Sequence, residues 1–130
     1  MPKERVIGLK VLLDMNGGFP LAKDGVIYTK FDAKEVVPSI HIPHGISYSL
    51  TLHDRELGIT ADSSRIFGLD NAHGGKFTKN KYISRKIEWD HVHKFDRIYD
   101  YTFVDCEQLL NYYWENVRSI LSRHYNIHVL

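Results

Sequence analysis

Ile46-Ser47-Tyr48-Ser49-Leu50-Thr51-Leu52-His53 alternates apolar and polar residues without a break. In an extended chain Ile46, Tyr48, Leu50 and Leu52 share one face, and Ser47, Ser49, Thr51 and His53 the other. That is the period of a strand buried on one side. A sheet with one apolar face needs a cover. The chain offers one near its C-terminus. Asp105, followed three residues later by Gln108, has the pattern of a helix N-terminus with aspartate as N-cap. Leu109, Tyr113, Val117, Ile120 and His124 then recur at helical spacing, widened by Leu110, Trp114 and Leu121.

Outward from Ile46–His53, the chain reads as more strands. Arg5–Leu13 is rich in apolar and β-branched residues and stops at Asn16-Gly17-Gly18. A loop, Phe19–Gly25, leads to Val26–Val37, so that two strands around a turn predict a hairpin. Pro38 and Pro43 bracket a loop that ends at His44-Gly45, since proline excludes a central strand. Leu57–Ser63 reads as a turn and Arg65–Leu69 as a strand. Asp70-Asn71-Ala72-His73-Gly74-Gly75 and Lys76–Lys81 read as loop, and Ile83–His93 and Arg97–Phe103 as the last two strands. The fold class is α+β: a curved antiparallel sheet of about five or six strands with one C-terminal amphipathic helix packed on it.

At 130 residues the chain fits a single domain. Residues 1–25 would form an N-terminal strand and loop, 26–103 the sheet, 105–124 the helix and 125–130 a tail. A composition 43% hydrophobic and 25% charged excludes a wholly disordered chain. No apolar run approaches the ~20 residues of a membrane span, and the N-terminus lacks a signal-peptide pattern. One cysteine, Cys106, cannot form an internal disulfide, which suits a reducing compartment and points to the cytoplasm. Its place in the first helical turn could lower its pKa, but an inert buried thiol is the plainer reading.

The net charge of +1 conceals a gradient. Residues 76–97 carry seven Lys/Arg against three Asp/Glu, while the segments on either side are net negative. Phe77, Tyr82, Trp89 and Phe95 lie among these cations. Positive charge beside aromatic faces suits a nucleic acid, with Lys81, Arg85, Lys86 and Trp89 as contacts. The bland alternative is a solvated basic loop and strand.

Eight histidines are the other unusual feature. His124 and His128 read as helix-end and tail residues, His41 and His44 as surface residues of the proline loop, and His53 as a strand end that could line a cleft. The sharper group is Asp70, Asn71 and His73 with Asp90, His91 and His93. On a strand His91 and His93 fall on one face, about 6.6–6.8 Å apart along the axis, with Asp90 on the other. Three readings compete. Two imidazoles can serve as base and acid, with a cation such as Arg85 or Lys86 to stabilise a phosphorane. His-x-His with a third ligand can hold a divalent metal. Or the histidines are hydrogen-bonded structural groups beside an Asp-Asn turn. No glycine-rich phosphate loop is present.

Pro43-His44-Gly45-Ile46-Ser47-Tyr48-Ser49-Leu50-Thr51-Leu52-His53-Asp54, Gly68-Leu69-Asp70-Asn71-Ala72-His73, Trp89-Asp90-His91-Val92-His93, Tyr101-Thr102-Phe103, and Glu107-Gln108-Leu109-Leu110 with Trp114 and Val117 together resemble the TumE family of toxin–antitoxin proteins. The resemblance covers about residues 26–122. Asp-Asn-Ala-His and Asp-His-x-His are its most distinctive blocks. The family often has phenylalanine before Trp114, where this chain has Tyr113. The resemblance implies a bacterial toxin, neutralised by a cognate antitoxin of helix-turn-helix type. By analogy with other small toxins it would act on RNA. Asp70, Asn71, His73, Asp90, His91 and His93 are the residues carried over. The leading expectation is cleavage without a cofactor. His91 or His93 would be base, His73 acid, and Asp70 or Asp90 the group that orients an imidazole. A divalent metal at His91 and His93 is the alternative, and a non-enzymatic binding module the reading from another class. An exposed strand edge would pair with a second copy to give a homodimer.

Overall fold

A computed structural model describes residues 8–40, 42–58, 60–71, 90–95 and 97–128. The elements are α1 (Leu9–Asp14), β1 (Gly17–Ala22), β2 (Ile27–Glu35), β3 (Ile46–Asp54), α2 (Ala61–Ser64), β4 (Arg65–Asp70), β5 (His91–Lys94), β6 (Arg97–Asp100) and α3 (Cys106–Tyr125). The six strands form one antiparallel sheet in sequence order, with β1 and β6 at its edges. The α+β class and the single long covering helix match the expectation from sequence. Among the described residues no helix is long and apolar enough to cross a membrane.

The alternation in β3 does what its period requires. Ile46, Tyr48, Leu50 and Leu52 are fully buried, joined by Phe31 of β2 and by Phe67 and Leu69 of β4. From α3, Leu109, Tyr113, Val117, Ile120 and Leu121 complete this core. Tyr113 meets Phe31 edge-on at 5.1 Å, and its hydroxyl is satisfied by Thr29, whose own hydroxyl donates to the Thr51 carbonyl. Each buried large side chain contributes roughly 1.5–3 kcal/mol. Asp105 caps α3 by accepting from the Gln108 amide at 2.7 Å. At the other end Asn126 turns left-handed and the Ile127 amide bonds back to Leu121. Ile127 packs on the core, so the expected tail is partly docked.

The N-terminal quarter differs from the reading by propensity. Of the expected strand Arg5–Leu13, residues 5–7 lie outside the described residues, and Leu9–Leu13 falls in the helix Leu9–Asp14. Leu9, Leu12 and Leu13 satisfy helical spacing as well as a strand run, and Leu12 is fully buried. Gly8 decides the approach: it has φ 79°, and a Cβ there would lie 2.6 Å from the backbone nitrogen of Glu107. Close seating of α1 on the start of α3 thus replaces a strand pairing. The hairpin partner of β2 is instead Gly17–Ala22, expected to be mostly loop. Two glycines and Pro20 hid it, but an edge strand tolerates proline. Of the expected strand Ile83–His93, residues 83–89 lie outside the described residues and β5 runs His91–Lys94, while the expected strand Arg97–Phe103 ends at Asp100, Tyr101–Phe103 being irregular.

Candidate functional site

The sheet face turned away from α3 carries the polar alternates, and the strand register arranges them in rows. Lys30, Thr51, Gly68 and His93 are successive cross-strand partners. Beside them run Asp32, Ser49, Asp70, His91 and Asp100. On the other side lie Tyr28, His53 and Arg65. Arg65 joins this face through a bulge: β3 partners step from Phe67 directly to Arg65, so Ile66 is an extra residue and side-chain parity inverts there.

Asp70 is the hub. Its Oδ2 lies 3.2 Å from His93 Nε2 and 3.9 Å from Arg65 Nη1. Its Oδ1 lies 2.9 Å from His91 Nε2 but off the line of a hydrogen bond, and this buried oxygen has no aligned donor. The His91 and His93 ring centroids are 4.6 Å apart, closer than the strand axis dictates, because both rings lean on the one carboxylate. Burial pushes the Asp70 carboxyl up, but the contacts with His91 and His93 outweigh it and hold the group well below the usual carboxylate range. It is an anion at neutral pH.

Arg65 faces the other ring nitrogen of His93. Its Nη2 lies 3.4 Å from His93 Nδ1. A guanidinium only donates, so this contact suits the tautomer with Nδ1 unprotonated and the Nε2 proton toward Asp70. Gly68, in register with His93, leaves the path clear: a Cβ there would sit 3.0 Å from Thr51 Cγ2 and 3.4 Å from Arg65 Cδ. His93 and Arg65 are partly exposed, whereas His91 is 2% exposed and cannot meet a substrate directly.

The ligand atoms of Asp70, His91 and His93 all lie within 4.8 Å of one another, so these three could hold a metal ion. The donor-free Oδ1 suits a cation. Arg65 does not: a His93 bound through Nε2 must carry its proton on Nδ1, and metal-bound imidazoles direct that N–H to an acceptor, not to a guanidinium.

Asp90 does not join this group. It lies one residue before β5, and its Oδ2 accepts from the Tyr48 hydroxyl at 2.7 Å and pairs with His44 Nε2 at 2.8 Å. His44 in turn accepts the Ile46 amide at Nδ1 and stacks on Phe103 with centroids 3.9 Å apart. The expected role for Asp90 in orienting His91 or His93 is therefore replaced by a contact with His44, which is packed rather than a free surface residue. Asn71 is also a clamp: its side chain accepts from the Tyr48 amide and donates to the Ile46 carbonyl. His53 does not line an open cleft. It is 3% exposed, with Nδ1 on Ser64 and Nε2 on Thr51. His73, Lys81, Arg85, Lys86 and Trp89, like His41, lie outside the described residues.

Sequence reasoning missed Arg65 and His44. Only the bulge brings Arg65 to the Asp70 face, and no local pattern announces it. His44 could have been paired with Asp90 only by knowing that β3 and β5 flank β4. Comparison with family models, curated proteins and solved structures finds no match to this chain.

Proposed function

We propose that this chain cleaves RNA by histidine acid–base chemistry, as the toxin of a bacterial toxin–antitoxin module. The observation that carries the chemistry is the ordered trio Asp70, His93 and Arg65. With the His93 proton on Nε2 toward Asp70, Nδ1 faces Arg65, and its lone pair becomes the base once the guanidinium turns to a phosphate. Arg65 binds a phosphodiester oxygen. His93 Nδ1 removes the proton of the adjacent 2′-hydroxyl, and O2′ attacks phosphorus. The 5′-oxygen leaves with a proton from a general acid, for which His73 remains the proposed residue. The products are a 2′,3′-cyclic phosphate and a 5′-hydroxyl. His91 acts through Asp70 and is a positioning residue.

The toxin role rests on the resemblance of the Asp-Asn-Ala-His and Asp-His-x-His blocks. A helix-turn-helix antitoxin is the partner it implies, and the cytoplasm the place of action. The open edges at β1 and β6 offer the backbone groups through which a second copy would pair. A metal-assisted phosphoesterase at Asp70, His91 and His93 is the second reading, favoured by the donor-free Asp70 Oδ1.

RNA cleavage by the wild type, His93→Gln and Arg65→Ala, each with and without EDTA, tests both. The acid–base reading expects His93→Gln to lose about 10²–10⁴-fold in rate, with the wild type indifferent to chelator. Undiminished cleavage by His93→Gln refutes it. Loss of wild-type activity in EDTA, restored by a divalent metal, establishes the second reading.

A further inference from the structure

The row that holds His93 also holds Lys30, and Lys30 opens into a separate cavity. This hollow, about 270 Å³, lies against β1 and β2 and is lined by Gly18, Phe19, Pro20, Tyr28, Lys30 and Arg55. Its volume is close to the lower end of small-molecule sites. Arg55 lies over the Tyr28 ring, 4.7 Å from its centroid, and Tyr28 stacks on His53 at 4.7 Å and 9°. Ser64 and Thr51 fix His53 from both ring nitrogens. The guanidinium is thus the exposed top of a three-layer stack with a buried base. Among the described residues neither Lys30 nor Arg55 pairs with an acid. An exposed guanidinium seated over an aromatic ring beside a free ammonium is the chemistry that takes a phosphate and a base together.

We propose that Lys30, Arg55 and Tyr28 form a remote subsite for single-stranded RNA, one that binds a phosphate and its neighbouring base. The proposal rests on the reading of His93 and Arg65 as the cleavage site and adds where the strand runs. Lys30 and His93 are three strand spacings apart, about 14 Å. Between them stand only Thr51 and Gly68, so the row is a low path across the sheet. RNA would lie across the strands, gripped at the cavity and cut at His93.

The test is fluorescence anisotropy with a labelled 2′-O-methyl oligouridylate of about ten nucleotides, which cannot be cleaved by this route. The proteins are the wild type, Lys30→Ala/Arg55→Ala, Arg55→Lys, His93→Gln, and a control, Arg118→Ala/Arg123→Ala, that removes two exposed charges from α3. Circular dichroism confirms that each is folded. The double variant is expected to bind at least about tenfold more weakly. Its slope of log K against log salt should fall by about 0.7, the value of one phosphate contact on a single strand. Arg55→Lys, which keeps the charge and loses the plane, should weaken binding with the slope unchanged. The control should bind as wild type. The subsite is refuted if the wild type does not bind, if the double variant binds with wild-type affinity and slope, or if the control weakens equally. Separate cleavage assays on unmodified RNA keep the two readings distinguishable. Weakened binding by the double variant with full cleavage by His93→Gln would sink the chemistry and leave the subsite standing, and the converse pattern would do the opposite.

Discussion

Replacing Asp70 by asparagine removes one charge and almost no volume. Asparagine has a single acceptor oxygen where the carboxylate has two. Whichever way the amide lies, an NH₂ group faces either His91 Nε2 or His93 Nε2, now 2.9 and 3.2 Å from carboxylate oxygens. His91 is too buried for water to compensate. His93 cannot simply move its proton to Nδ1, because Arg65 is there. Setting an NH₂ group against a ring nitrogen in place of a carboxylate oxygen costs about 1–3 kcal/mol, and Arg65 also loses its anion. A destabilisation of about 3 kcal/mol at neutral pH follows, a drop in Tm of roughly 10 °C for a chain of this size.

The pH dependence gives the prediction its sharper edge. The Asp70 carboxyl titrates lower in the folded protein than in the unfolded chain. Its contribution is therefore fully present above the unfolded value, near 4. It is lost as pH falls through the folded value, because only the unfolded state takes up the proton in between. Urea unfolding at pH 7, 5 and 3 should show a gap between wild type and Asp70→Asn that is constant at the two higher values and narrower at the lowest. A gap below about 0.5 kcal/mol at pH 7, or one that does not change down to pH 3, would refute the reasoning that an ionised Asp70 organises the histidines.

Three further outcomes are expected. The His53 pKa is lowered to about 4, chiefly by burial and then by Arg65 and Lys30. Its neutral form therefore stabilises the fold above about pH 6.5, and that contribution fades as pH falls toward 4. His53→Gln should flatten the wild-type loss of stability between those values, read by denaturant titration. Asn71→Ala leaves the Tyr48 amide and Ile46 carbonyl without their partners and should cost about 2–3 kcal/mol. Gly68→Val would crowd Thr51 and turn Arg65 from His93, so RNA cleavage should fall at least about tenfold while the circular dichroism spectrum stays that of the wild type.

Legibility followed the strength of the period. Ile46–His53 and the stripe from Leu109 to Leu121 each bury one face completely, so alternation and helical spacing were enough to read them. Leu9–Asp14 has a pattern that serves either structure, and the choice was made by Gly8 against Glu107, a contact about a hundred residues away in sequence. In β1, Pro20 and two glycines hide a strand that exists because β2 supplies its hydrogen bonds. At the candidate site, His91 and His93 on one face and Asp90 on the other were fixed by strand parity alone. Asp70 against His91 required the register of β4 with β5, which no local signal carries. Arg65 required a bulge as well.

The two aspartates show how parity divides labour between the faces of one sheet. Asp90 lies on the helix side, where burial would be costly without partners. Tyr48, itself anchored in the core, and His44 share its Oδ2. These bonds pin the residue directly before β5, while the Asp90 carbonyl accepts from the Tyr101 amide and pins the chain beyond β6. On the adjacent strand the Asn71 clamp holds the end of β4 to β3 in the same way. The ends of β4 and β5 are thus fixed from the helix side, and these are the ends that carry Asp70 and His91 on the opposite face. A site built on a half-buried base and a half-buried carboxylate needs backbone positions that do not drift, and here the rigidity comes through the sheet from groups that never approach the substrate. On this argument His44 and Asp90 belong to the candidate site as positioning residues, although neither touches it.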